Sequence, residues 1–416
     1  MKRLISFLSA LIVLLTACSC QTQQKHDPNI LIVSGWQNLN VGDIAHTPGV
    51  LNALQKEFPN AKFTVWIWQN DSTRQSVANF IHKYYPEVRT VWGDVNADFT
   101  VDCPEVNQAM DEADLMIHGS GPMILGEPHL RAFRQRTHKP YGIFGTTIQW
   151  TNPGLTELLQ GAAFIFTRET ASLDSLASFG IDKPVIKAIP DAVFDLKLRD
   201  DAKAEKWLNE HNLAAKDYIC VIPRLRKTPY AHFSSEVLRQ ITQLNDSCKE
   251  MDHAKLREAM IQWVRKTGKK VVVCAEMTYQ IPLFDELLID KLPADVKPYV
   301  LKHEYWWPDE CISFMQRSFA LISLECHSVI MSLANGTPAF YIRQTEDTVK
   351  GQMYYDLGFK DWVFEIDQTS GQQIADRLME VYEHPEIAQD MMNKNLLHAS
   401  ELIAEGTNTI KNIMNW

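Results

Sequence analysis

Asn29-Ile30-Leu31-Ile32-Val33-Ser34-Gly35-Trp36-Gln37-Asn38-Leu39-Asn40-Val41-Gly42-Asp43 is the stretch that decides the fold. A short apolar run stops at a serine and a glycine, and a polar loop follows. Apolar residues at every position, not at alternate ones, describe a strand covered on both faces. Thr47-Pro48 supplies an N-cap and first-turn pair for a helix running to about Phe58. Lys62 to Trp68 is the next strand. This spacing predicts a parallel sheet with helices on both faces.

The same rhythm continues along the chain. Ser72 to Tyr85 is a helix, and Leu115 to His118, Tyr141 to Phe144 and Phe164 to Thr167 are short buried strands. Thr170 to Phe179 is a helix stopped by Gly180. A second set opens with the strand Tyr218 to Pro223. It continues with the helix Ala254 to Thr267, the strand Lys270 to Ala275, the helix Asp309 to Arg317 and the strand Ala320 to Ser323. The helix Ser328 to Asn335, the strand Ala339 to Ile342 and terminal helices from Gly371 and Pro385 complete it. A chain of 416 residues exceeds one ordinary core. The charged helical stretch Asp200 to Asn212 is read as the boundary, giving domains 29–198 and 199–416. Two successive doubly wound domains place a ligand cleft between them, at the carboxyl ends of the strands.

The composition is globular, with 45% apolar and 22% charged residues. A net charge of −10 argues against a nucleic-acid binder, which needs a basic face. The first residues carry a targeting signal. Lys2 and Arg3 precede the apolar run Leu4 to Leu15, too short to span a bilayer comfortably. Leu15-Thr16-Ala17-Cys18 looks like a bacterial lipobox, so 1–17 is expected to be a signal peptide, Cys18 the lipidated residue and 18–28 a polar tether. The resemblance to such signals implies that Ser19 favours outer-membrane sorting over retention at the inner membrane, so the expected location is the cell envelope of a Gram-negative bacterium, on the periplasmic side or in the outer membrane. Beyond this region, Cys103, Cys220, Cys248, Cys274, Cys311 and Cys326 are scattered, with no metal-like spacing. Cys220 and Cys274, in strand-like runs, read as buried free thiols, while an oxidising compartment permits a disulfide whose pair the sequence does not select.

Several strand-end loops carry chemistry. Asp43 is either a helix-capping carboxylate or a ligand contact, with Gly42 easing the turn. Asp114 to Pro122 runs from a strand into Gly119-Ser120-Gly121, whose backbone N–H groups can cradle an anion. His118 there is a general acid or a buried, satisfied histidine. Arg168, at a strand-to-helix turn, binds a carboxylate or phosphate, or pairs with Glu169. Asp191 follows Pro190 at another such turn. Arg224, Arg226 and Lys227 form a basic cluster past a strand, either a solvated loop or an anion contact. His327 sits where a strand ends and a helix begins, in the positive end of the helix field. Trp306 and Trp307 are either sugar-stacking rings or packing. No clustered His, Cys and Asp spacing indicates a tight metal site.

Asn40-Val41-Gly42-Asp43, Asp114 to Gly121, Arg168-Glu169 with Ser172, Pro190-Asp191, and Ser323 to Pro338 occur in order over most of the chain. Together they resemble the motifs of the polysaccharide pyruvyl transferase family. The resemblance implies a GT-B-like fold of two Rossmann-like domains, here with a C-terminal helical extension. It also implies transfer of the enolpyruvyl unit of phosphoenolpyruvate to two sugar hydroxyls as a ketal, with no cofactor beyond that donor. By resemblance Arg168 meets the donor anion, while Asp43 and His327 are the catalytic pair. Asn40, Gly42, His118, Gly119, Gly121, Asp191, Arg224, Ser323 and Glu325 complete the candidate substrate contacts. Glu325 stands where the family motif has an arginine. The expected partners are an envelope glycan acceptor and, through the lipid anchor, a membrane. Two rival readings share the scaffold: a non-catalytic glycan-binding lipoprotein, and a glycosyltransferase with a nucleotide-sugar donor.

Overall fold

A computed structural model of the chain describes residues 27–34, 37–67 and 71–416. The signal segment, Cys18 and Ser19 lie outside the described residues. No helix of the described residues is long and apolar enough to cross a membrane.

The strands form two sheets. The first comprises β1 (Asn29–Val33), β2 (Lys62–Ile67), β3 (Arg89–Trp92), β4 (Leu115–His118), β5 (Tyr141–Phe144), β6 (Phe164–Thr167) and β7 (Val185–Ala188). Its order is β3-β2-β1-β4-β5-β6-β7. The second comprises β8 (Tyr218–Ile222), β9 (Lys270–Val273), β10 (Val300–Lys302), β11 (Leu321–Ser323), β12 (Ala339–Arg343) and β13 (Val363–Glu365), ordered β10-β9-β8-β11-β12-β13. The pairs on either side of β1 and β8 are parallel. Strand order reverses between β1 and β4, and again between β8 and β11. Those are the switch points at which doubly wound sheets bind ligands.

The apolar run of β1 behaves as its composition dictates. Ile30 and Ile32 join one buried cluster, and Leu31 and Val33 join the other. Both faces are covered, which is why no polar alternation is visible. The terminal helix Pro385–Met414 crosses back to the first half. Gly406 lies against Ile189, Lys411 pairs with Glu57 at 2.7 Å, and Trp416 meets Phe58 edge to face.

Some elements depart from the sequence reading. The first helix runs Val41–Glu57, seven residues longer at its start than the Thr47-Pro48 signal implies. Asn40 is its cap, accepting from Gly42 N and Asp43 N, and Pro48 is carried inside the helix. The helix expected from Ala254 begins at Ser235, because Ser234 caps it by accepting from Val237 N. The strands β3, β7, β10 and β13 lie at sheet edges and are only partly buried. Their apolar signal is accordingly weak.

Candidate functional site

The carboxyl ends of the two sheets meet through backbone. Val41 N donates to Glu276 O (2.9 Å), Thr278 N donates to Leu39 O (3.0 Å), and Asn40 bridges Met277 antiparallel. The loop after β1 is thereby stitched to the loop after β9. Asn40 thus serves both as helix cap and as a tie between the halves.

This stitching brings His327, in the first turn of the helix Cys326–Ala334, against the first turn of Val41–Glu57. Gly42 permits the approach, since a Cβ there would stand 2.3 Å from His327 Nδ1. His327 Nδ1 lies 3.3 Å from Glu276 Oε1, and its Nε2 lies 2.9 Å from His46 Nε2. Glu276 is fixed in turn, because Ser328 N and Ser328 Oγ each donate to its Oε2 at 2.7 Å. Asp191 Oδ2 lies 3.5 Å from His46 Nε2 and 3.9 Å from His327 Nε2. Asp43 reaches the same place and accepts from Gln37.

Arg168 closes the group from β6. Its Nη1 donates to Asp191 Oδ2 (3.2 Å) and lies 3.4 Å from His327 Nε2. Its Nε donates to Thr147 Oγ1 (2.8 Å) and sits 3.7 Å from Glu169 Oε2. The residue is 2% exposed, yet its Nη2 has no hydrogen-bond partner. A buried guanidinium nitrogen without a partner is costly and points to an absent acceptor.

The electrostatics follow from this packing. Burial pushes the Asp43 carboxyl above the usual range, against the pull of His327. Burial drives His46 down to about 3. Burial also opposes ionisation of Asp191, but His46, Arg168 and His327 outweigh it and hold that carboxyl low. Glu276 is likewise held low by His327 and Ser328 despite its burial.

A second cluster surrounds Arg224. Its Nε lies 3.3 Å from Glu325 Oε1, and its Nη1 donates to Gln344 Oε1 (3.2 Å) and to Asp347. Lys350 Nζ stands 3.6 Å from Asp347 Oδ1. Glu325 therefore faces a cation of its own half. Gln280 links the clusters, donating to Glu325 Oε1 (2.6 Å) while its own oxygen accepts from Glu276 N and Met277 N. Burial raises the Glu325 carboxyl to about 8, against the pull of Arg224.

The remaining candidates lie deeper. His118 Nε2 accepts from Gly126 N (3.0 Å) and its Nδ1 faces Thr146 Oγ1, so both ring nitrogens are engaged inside the first half. Gly119 allows the chain to pass close to Ser34, and its carbonyl accepts from Thr146 Oγ1 (3.0 Å). The Gly121 carbonyl accepts from Thr147 N (3.0 Å), which sets the threonine that holds Arg168. Ser323 Oγ accepts from Glu325 N (2.9 Å) and shapes that turn. Arg226 is spent on Asp252 and Asp367, and Trp306 is buried with its N–H on Ala275 O (3.0 Å). Trp307 packs against Phe80. The six described cysteines are free.

His46, Glu276 and Asp347 were not among the candidates. Asp43 and His46 are three apart, one face of a helical turn, but that relation exists only if the helix starts at Val41. Glu276 is a single carboxylate ending the run Val271-Val272-Val273-Cys274-Ala275, a signal too small to stand out.

The family model described as polysaccharide pyruvyl transferase matches residues 40–345. No curated protein matches the chain significantly. Among solved structures, a glycosyltransferase from Rickettsia africae is similar, with TM-score 0.55 and 12% identity over 93% of this chain and 99% of that one. The UDP-GlcNAc 2-epimerase from Neisseria meningitidis, bound to UDP-GlcNAc, has TM-score 0.54 and 14% identity over 91% and 98% of the two chains. The ADP-heptose LPS heptosyltransferase II of E. coli has TM-score 0.52 and 12% identity over 86% and 99%. At these identities the likeness is one of fold, the GT-B arrangement of two doubly wound sheets.

Proposed function

The chain belongs to the polysaccharide pyruvyl transferase family, and from that premise we propose that it transfers the pyruvyl unit of phosphoenolpyruvate to an envelope glycan. The protein acts outside the cytoplasm, tethered to a membrane through Cys18, as its lipobox-like leader suggests. The observation that carries the reading is Arg168, a buried guanidinium with Nη2 unpartnered, beside His327 and between the two sheets. A planar donor fork in a water-poor cleft suits a carboxylate or phosphate, and the donor carries both.

The bond changes set what the site must do. One sugar oxygen adds to the central carbon of the enol while a proton adds to the methylene carbon. The second sugar oxygen then replaces phosphate at the same carbon, and the remaining hydroxyl proton leaves with phosphate or solvent. Arg168 anchors the departing anion. His327, oriented by Glu276, meets the donor beside it, and Asp43 faces the acceptor side. Tyr305 Oη, shielded from solvent and without a partner, lies within the field of Asp43 and is available for a sugar hydroxyl.

The test is phosphate release from phosphoenolpyruvate with glycans bearing a free diol. Arg168→Lys keeps the charge but loses the fork, so release is expected to fall about 100-fold or more in the folded variant, beyond what its loss of thermal stability explains. Absence of release by the unaltered protein with every diol acceptor, alongside measurable glycan binding, would replace this reading with the non-catalytic one.

A further inference from the structure

We infer that Asp43, His46 and His327, with Asp191 beside them, bind one divalent first-row metal ion, a site that goes beyond the donor assignment and does not depend on it. Among the described residues, these three side chains bring one ligand atom each to within 4.8 Å of one another. The two imidazole Nε2 atoms stand 2.9 Å apart, and Asp191 Oδ2 is 3.5 and 3.9 Å from them. Ligand atoms about 2.0–2.2 Å from a zinc-class ion are themselves separated by roughly 3–3.6 Å. The two imidazoles and Asp191 lie near that spacing, at 2.9, 3.5 and 3.9 Å, and Asp43 stands within 4.8 Å of both imidazoles.

The protonation pattern points the same way. His327 Nδ1 faces Glu276 Oε1 at 3.3 Å, a geometry that suits a proton on Nδ1 and an acceptor Nε2, which faces His46 Nε2 and Arg168 Nη1. A carboxylate that orients a ligand histidine through its far nitrogen is the usual outer support of a metal site. Here that carboxylate is itself locked by the backbone and hydroxyl of Ser328. Gly42 leaves the space the imidazole occupies, so the site is built by both halves of the chain.

Charge balance supplies an independent reason. Asp43, Asp191 and Glu276 surround the cluster, against one guanidinium, Arg168, which is also shared with Glu169. Lys350 acts on Asp43 but is held by Asp347. Buried carboxylates without matching cations are expensive, and a dication offsets the excess. It also removes the net negative charge of a pocket that would otherwise repel an anionic ligand arriving at Arg168 Nη2. Two imidazoles with carboxylate oxygens favour zinc, iron, nickel or manganese over calcium or magnesium.

The experiment uses the purified full-length chain, stripped with a chelator and titrated with Co²⁺ alone, then with Zn²⁺. One equivalent of Co²⁺ is expected to give visible ligand-field bands that Zn²⁺ abolishes. X-ray absorption of the zinc-loaded protein should show two imidazoles at about 2.0–2.1 Å. His46→Gln should weaken binding at least about 10-fold, and Glu276→Gln about 10- to 100-fold through loss of orientation. Absence of a stoichiometric Co²⁺ spectrum, or a zinc shell without imidazole, overturns the site, and the absorption measurement on the unaltered chain decides even where a variant fails to fold. Because every readout is metal binding, the result stands whether or not the protein releases phosphate from phosphoenolpyruvate.

Discussion

Two arginines reach the junction between the sheets, and they differ in one respect that decides their use. Arg168, after β6, keeps an open Nη2 although it is 2% exposed. Arg224, after β8, is enclosed by Glu325, Asp347 and Gln344. Both are buried cations with carboxylate neighbours. Arg224 Nε also lacks a hydrogen bond, but it faces Glu325 Oε1 at 3.3 Å, and only Arg168 touches His327. A cleft cation is therefore not by itself an anion site. What its free nitrogen faces is the relevant quantity, because a guanidinium set against a carboxylate is already neutralised. The Glu325 that departs from the family motif belongs to the enclosed arginine, so it leaves the open one intact.

The largest effect should come from breaking the enclosed pair. Arg224→Ala leaves the Asp347 carboxylate without its arginine, with Lys350 and Tyr341 as its remaining side-chain partners among the described residues. Loss of one partner from a buried pair typically costs about 3–5 kcal/mol. Urea unfolding should show that loss. A loss below about 1 kcal/mol would mean that the surrounding carboxylates do not hold Arg224, and the contrast between the two arginines would fail.

A smaller effect tests how the open arginine acquires its neighbour. In Gly42→Ala the new methyl lies 2.3 Å from the His327 ring, which is held by Glu276 and cannot yield as a flexible tail would. Overpacking of this kind costs about 1–3 kcal/mol. His327 is expected to swing away from Arg168, so phosphate release should fall by more than the stability loss explains. Unchanged release in a folded Gly42→Ala protein would separate His327 from the chemistry.

These residues also show what the sequence made legible. The doubly wound architecture was readable because β1 and β8 are apolar almost throughout, as burial on both faces of a parallel sheet demands. The loop Asn40-Val41-Gly42-Asp43 was readable as a strand-to-helix turn at the carboxyl end of the sheet because it follows such a strand. Its inner geometry was not. Pro48 is a strong helix-start signal, and it outweighed the Asn40 cap that the chain uses. With the helix begun late, Asp43 and His46 fell outside it and their shared face was invisible. Likewise His327 and Glu276 are 51 residues apart, and only the adjacency of β8, β9 and β11 makes them neighbours. Tertiary pairing of single polar residues at strand ends leaves no local periodicity to read.

The last contrast sets His118 against His327, the histidines that stand at the switch points of the two sheets. His327 lies between a carboxylate and a guanidinium, whereas His118 is sealed within the first half and accepts from Gly126 N. Burial pushes His118 down to about 4 from its ordinary 6.5. The unfolded chain therefore binds a proton below pH 6.5 that the folded chain refuses until about pH 4. Its contribution to stability is complete above pH 6.5 and declines as the pH falls through that window, by about 1.4 kcal/mol per unit and so at most about 2 kcal/mol at pH 5. His118→Gln retains an oxygen to accept from Gly126 N but has no proton to gain. Urea unfolding at pH 7 and pH 5 should show a smaller acid loss in the variant by up to that amount. Equal acid losses in the two proteins would mean that His118 is already protonated in the folded chain, and it would then be a charged group of the site rather than a neutral strut beneath it.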